Sequence, residues 1–85
     1  MSDYTVQPKD KDELIEIIRN TIKKEGYNCN LNFIDTSLIT DMSEMFAFSK
    51  FNQDISNWDV RNVKDHKDAF MNSDCDPDFR PKFKE

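Results

Sequence analysis

The side chains that could do chemistry in this sequence are few, and most of their spacings fail the chemistry they suggest. His66 is the single histidine, and Lys67 and Asp68 follow it. No serine or cysteine stands at a spacing from it that nucleophilic catalysis uses, so a packing or solvated helix position is expected. Asp74, Asp76 and Asp78 alternate and Glu85 closes the layout of a calcium loop. The place in that loop where a sharp turn needs glycine holds Phe79, and Pro81 intrudes, so no metal site is expected. Cys29 and Cys75 match no zinc pattern and are too few for a disulfide framework. Buried idle thiols or one long-range disulfide are the two readings left for them. With no acid–base pair, nucleophile–base pair or metal cluster in the sequence, no catalytic residue and no cofactor are expected, and the chain reads as a non-enzyme.

The acids remain. The chain has 85 residues with seventeen Asp and Glu against twelve Lys and Arg, a net charge of −5. Residues 31–60 hold one base, Lys50, against Asp35, Asp41, Glu44, Asp54 and Asp59, so the middle third carries almost the whole excess. Such a surface repels a phosphate backbone and no basic stripe offsets it, which argues against nucleic acid. A protein partner, basic where it meets this third, fits better, beside the plain alternative of a solvated acidic surface. No apolar run approaches the roughly 20 residues a membrane-spanning helix needs, and the opening Met-Ser-Asp-Tyr shows no signal-peptide pattern. Read as it stands, the chain is cytoplasmic. Ten aromatics (seven Phe, two Tyr, one Trp) suit a folded domain, while so short a chain excludes a deep catalytic cleft.

Two kinds of element must position these side chains. Asp10-Lys11-Asp12-Glu13 reads as a capping box, and Leu14, Ile15, Ile18 and Ile22 fall on one stripe with Ile17 at its edge. Lys23 and Lys24 suit a last turn and Gly26 a left-handed cap, so a helix is predicted over about residues 11–25. The rest is periodic. Residues 31–54 align with 55–78 at an offset of 24, with identities at Asp35/Asp59, Asp41/Asp65, Phe46/Phe70, Ser49/Ser73 and Asp54/Asp78. Apolar positions recur in register: Leu31/Ile55, Ile34/Trp58 and Ile39/Val63. Leu31–Ser37 and Ile55–Arg61 have strand character. Ile39, Met42 and Phe46, like Val63, His66 and Phe70, have helical spacing, with Thr40, Asp41 and Asp65 at first-turn positions.

The runs Ile-Asp-Thr-Ser-Leu-Ile-Thr-Asp-Met-Ser-Glu-Met-Phe (34–46) and Phe-Asn-Gln-Asp-Ile-Ser-Asn-Trp-Asp-Val-Arg-Asn-Val (51–63) resemble the unit of the BspA-like leucine-rich-repeat family. Pro-Lys-Asp-Lys-Asp-Glu-Leu (8–14) is similar to the segment that opens such arrays, and the resemblance covers about residues 8–72. It implies a bacterial protein with proposed roles in adhesion and protein binding, and it leaves the cell surface open as a location. His66 and Ala69 stand where that family usually has Met, and Arg61 where it has Ser.

The fold expected is therefore α/β: a short leucine-rich-repeat-like solenoid, one parallel strand and one short helix per unit, behind an N-terminal capping helix. One domain is expected over 1–85, divided into a cap region 1–28, units 29–54 and 55–78, and a stub 79–85. Strand alternation would turn Ile34, Thr36, Trp58 and Val60 inward and leave Phe33, Asp35, Ser37, Asn57, Asp59 and Arg61 on the open face. These six are the candidate partner-binding residues, with Phe33 either an anchor there or packed beneath the helix. Asp35 and Asp59 would be neighbours across the ladder and need compensation, for which Asx-type bonds to following backbone N–H groups are expected. Trp58 is expected in the core, with Phe48 and Met45 as further surface anchors. Cys75–Phe79 would start a third strand, its edge blunted by Pro77 and Pro81 and charged by Arg80, Lys82 and Lys84. The function expected is a non-enzymatic protein-binding module, monomeric or weakly dimeric. The alternatives are a self-associating structural fragment of a longer array and a small acidic inhibitor from a mobile element.

Overall fold

A computed structural model describes residues 4–84. The helix forms where predicted, as α1 over Lys11–Glu25. Asp10 caps it, its Oδ1 accepting from Glu13 N at 2.9 Å, and Glu13 Oε1 in turn accepts from Lys9 N at 3.0 Å. The first bond satisfies one of the N–H groups that a helix start leaves without partners, and the second ties down the residue before the cap. Gly26 ends it with φ 86° and ψ 178°, a conformation close to glycine-only, and donates to Ile22 O at 2.7 Å. Leu14 and Ile18 are buried, while Ile17 and Ile22 pack at the margin of the core.

Beyond α1 the expected solenoid is overturned. The described residues contain no strand; only two isolated parallel bridges occur, Val6 with Ile34 and Asp41 with Asp65. Neither 39–46 nor 63–70 is a helix. Cys75–Phe79 starts no strand either, but leads into a single 3₁₀ turn, Pro77–Phe79, capped by Asp76. The described residues form a small globule of one α-helix, one 3₁₀ turn and many other turns.

The backbone shows why. Glu44 and Phe48 have φ of 57° and 60°, and their counterparts Asp68 and Asn72 have 56° and 52°. A left-handed residue ends an α-helix, so the i, i+3, i+7 spacing is spent on successive turns. In the first unit Met45, Ala47 and Ser49 each donate three residues back, to Met42 O, Glu44 O and Phe46 O. The alternate N–H groups point the other way. Met42, Glu44, Phe46 and Phe48 donate to Asp65, Lys67, Ala69 and Met71 of the second unit, at 2.8, 3.0, 2.8 and 2.8 Å. Beyond its first turn, an α-helix would consume such donors internally. Here half of them tie one unit to the next.

The segments read as strands are likewise bends held by side chains. Asn30, Asp35, Asp41 and Ser49 each accept from the N–H two residues on, and so do their counterparts Asp54, Asp59, Asp65 and Ser73. These are Asx and Ser turns, which offer the backbone an alternative to a strand ladder. The recurrence of Asp and Ser through the two units is thus a recurrence of turn acceptors.

One core joins α1 to both units, through Leu14, Ile18, Leu31, Ile34, Ile39, Met42, Phe46, Phe51, Ile55, Trp58, Val60 and Val63. Ile34, Thr36, Trp58 and Val60 point inward as expected. The polar atoms of Thr36 and Trp58 are satisfied: Thr36 Oγ1 donates to Asp59 O at 2.9 Å and Trp58 Nε1 to Leu31 O at 3.1 Å. Cys29 and Cys75 are two separate buried thiols, not a disulfide.

Candidate functional site

Four of the six candidate residues, Asp35, Ser37, Asp59 and Arg61, form the equivalent Asx turns of the two units. In the first, Asp35 Oδ1 accepts from Ser37 N at 3.0 Å. In the second, Asp59 Oδ1 accepts from Arg61 N at 3.2 Å and from Arg61 Nε at 3.0 Å. The turns are tied to each other: Asn62 Nδ2 donates to Ser37 O at 2.7 Å, and Thr36 hangs from Asp59 O. Asp35 and Asp59 are both half-buried, and the Asp59 charge works against ionisation of Asp35.

That repulsion is outweighed. The Ser37 N–H, then its hydroxyl and Gln7, hold the Asp35 carboxyl below its ordinary range against its burial and the Asp59 charge. The Arg61 side chain holds Asp59 low in the same way, and Asp59 raises Arg61 in return. Both acids are therefore fixed anions, with their charge set by donated N–H groups. A general acid near neutrality would need the opposite shift.

Phe33 is half-buried and packs against the core. Asn57 and Arg61 are exposed, and Ser37 is half-buried. Gln7 was not visible as a site residue. Its Nε2 donates to Asp35 Oδ2 at 3.0 Å and lies 3.4 Å from Ser37 Oγ. It arrives there because the N-terminal segment pairs with residues 33–35, Thr5 N donating to Phe33 O and Asp35 N to Val6 O. A partner 28 positions away leaves no local sequence signal.

Other candidates resolve elsewhere. His66 is half-buried with its ring stacked on Phe83, centroids 4.4 Å apart. Asp76 is spent on the N–H of Asp78, and among the described residues no three acids, histidines or cysteines gather to hold a metal ion. Glu85, the closing residue of the calcium-loop layout, lies outside the described residues, as does Met1–Asp3 of the opening segment. Phe48 projects from the turns with 70 % of its surface exposed, while Met45 packs against the core. Ile15, Ile18 and Ile22 of α1 face Met45 and Ser49 across a groove of about 230 Å³. Among the described residues no helix is long and apolar enough to cross a membrane.

In comparisons with known proteins, a family described as Mycoplasma protein of unknown function, DUF285, matches residues 13–78, well over half of the chain. No curated protein and no solved structure matches.

Proposed function

The chain belongs to the DUF285 family of Mycoplasma proteins of unknown function, and from that premise we propose that it is a non-enzymatic protein-binding module whose contact face is the pair of Asx turns at Asp35 and Asp59. The observation that carries this reading is the pair of ionised carboxylates on linked turns, Asp35 held chiefly by the Ser37 N–H and Asp59 chiefly by the Arg61 side chain. With Arg61 paired to Asp59, they leave a net negative charge on this face, in the acid-rich third of the chain. Such a patch attracts a Lys- or Arg-bearing surface and fixes its register. The likeness of residues 34–46 and 51–63 to BspA-like units supports the same class of function, apart from the architecture those units imply.

The test separates charge from fold. Asn in place of Asp keeps the Asx acceptor and removes the charge. Wild-type chain and the Asp35→Asn/Asp59→Asn double variant are each immobilised and exposed to lysine- and arginine-rich peptides at low salt. The wild type is expected to retain them with an affinity that falls steeply with salt. The variant, shown by a urea melt to remain folded, is expected to bind at least tenfold more weakly. Equal retention by both chains would remove this face from the reading.

A further inference from the structure

The first unit's alternate N–H groups are all occupied by the second unit, but the second unit's own are not. His66, Asp68, Phe70 and Asn72 correspond to Met42, Glu44, Phe46 and Phe48 at the offset of 24. Their backbone is already set in the same form. Ala69, Met71 and Ser73 donate back to His66 O, Asp68 O and Phe70 O, and Asp68 and Asn72 have the left-handed φ of their counterparts. Among the described residues, no carbonyl or side chain accepts from the N–H groups of His66, Asp68, Phe70 or Asn72. Four donors, one at every second residue, thus stand in a row at the edge of the second unit.

The side chains beside this row form a groove. Phe70 stacks on Phe46, centroids 5.3 Å apart, and the Arg80 guanidinium lies over its ring, 5.0 Å from the centre. Arg80 is held there by Cys75 O, which accepts from Nε at 3.0 Å and from Nη2 at 2.6 Å. With Pro81 and Phe83 it makes one wall of a space of about 480 Å³, whose other wall is His66, Asp68 and Phe70.

We propose that this edge is a second docking site, taking a segment of another protein by backbone pairing. The interface inside the molecule shows what fits such a row. In the first unit the donors are met by the carbonyls of Asp65, Lys67, Ala69 and Met71, with one aromatic ring laid on the next. The occupant is therefore a chain that offers carbonyls at every second residue and an aromatic side chain to Phe70. Recognition of this kind draws affinity from main-chain bonds and specificity from one or two side-chain contacts. A second copy is the less suitable occupant. Its matching carbonyls would be those of Asp41, Ser43, Met45 and Ala47, and α1 lies along that flank, with Lys11 Nζ donating to Ser43 Oγ at 3.0 Å. The helix closes one end of the ladder and leaves the other open.

The probe is a blocked synthetic peptide of residues 64–73, the segment that fills the equivalent edge of the first unit. It is titrated to millimolar concentration into the full chain labelled with ¹⁵N. The amide signals of His66, Asp68, Phe70 and Asn72 are expected to shift and to exchange with solvent several-fold more slowly. The same peptide with its Phe replaced by Ala is expected to bind at least fivefold more weakly. Arg80→Ala in the protein, which uncovers Phe70 without touching the row, is expected to bind as well as the wild type or better. No shift at these amides overturns the proposal, as do shifts confined to the α1 groove. Shifts at the same amides on concentrating the chain alone would make a second copy the occupant and overturn the choice of partner. The Asp35→Asn/Asp59→Asn variant should bind the peptide unchanged, so failure here and failure of the carboxylate face are separate results.

Discussion

Phe46 and Phe70 hold the same place in consecutive units and lie nearly face to face, with their ring planes 13° apart. Phe46 is also in ring contact with Phe51 and Trp58 and is buried, whereas Phe70 is half-buried with Arg80 over its ring. Phe46 is thus the centre of the aromatic packing and Phe70 its outer layer. Phe46→Ala should cost about 3–5 kcal/mol, the range for emptying a buried aromatic site. A domain of this size has roughly 5–10 kcal/mol in all, so that variant should be largely unfolded well below the wild-type midpoint. Phe70→Ala should cost about half as much, because water already reaches it. Urea melts of the two variants check this; equal losses would contradict the layering.

The turn acceptors give a second prediction. Asp41 Oδ1 accepts from Ser43 N at 2.9 Å and from Ser43 Oγ at 2.7 Å. Asp41→Ala leaves both donors to water and should cost about 1 kcal/mol, the size of a lost helix cap. Asp41→Asn keeps an acceptor and should cost a few tenths of that. A urea series in which Asn and Ala are equally harmful would mean that Asp41 acts through its charge on Lys11, 4.0 Å away.

The same acids set the acid limit of the fold. Asp35, Asp41, Asp54 and Asp59 all have pKa values below their ordinary one. The largest cause is the Ser37 N–H for Asp35, the Ser43 N–H for Asp41, the Ser56 hydroxyl for Asp54 and the Arg61 side chain for Asp59. A carboxyl lowered in the folded state binds its proton more readily when unfolded. Its stabilisation is complete above the unfolded pKa of about 3.9 and is lost as pH falls through the folded value. Melting temperature should therefore be insensitive to these four groups between pH 7 and about pH 5.5, and should fall steeply below about pH 4. The Asp35→Asn/Asp59→Asn variant should show a shallower fall; an unchanged slope would place the acid sensitivity in other groups.

Much of this molecule was legible before its structure, and the part that was not has a definite physical cause. Asp10, the Leu14–Ile18 stripe and Gly26 specify α1 locally, so its limits were readable. The offset of 24 was readable because Asp35, Asp41 and Phe46 recur in kind. Ile34 and Trp58 were correctly placed inside. What misled was period. Three apolar residues at i, i+3 and i+7 satisfy a helix, but they equally satisfy a chain of turns reset by a left-handed residue every fourth position. Asp68 and Asn72, types that tolerate that conformation, were the local hint. Glu44 and Phe48, which tolerate it poorly, hid it. At the candidate site, Asp35 and Asp59 could be paired from the offset alone, whereas Gln7 reached Asp35 only through tertiary pairing.

Gly26 gives a further check on local strain. Its φ of 86° with extended ψ suits glycine, and a methyl group there would meet no neighbour within 4 Å. Any cost of Gly26→Ala is thus backbone strain alone, expected at about 1–3 kcal/mol. A loss under ~0.3 kcal/mol would show that the cap relaxes to negative φ.

Phe48 is the residue at which folding and function should come apart. It combines 70 % exposure with a φ of 60°, so it pays left-handed strain without burying its ring. Its counterpart in the second unit is Asn72, a residue suited to that conformation. Phe48→Asn should therefore stabilise the chain, by about 0.5–1 kcal/mol, since the left-handed form is less costly for Asn by an amount of this order. The Phe48 N–H bond to Met71 O is a backbone contact and should survive the change. A higher urea midpoint with an unchanged slope would show that the fold gains nothing from this phenyl ring, as expected of a surface anchor. A lower midpoint would show that the ring contributes to the fold after all.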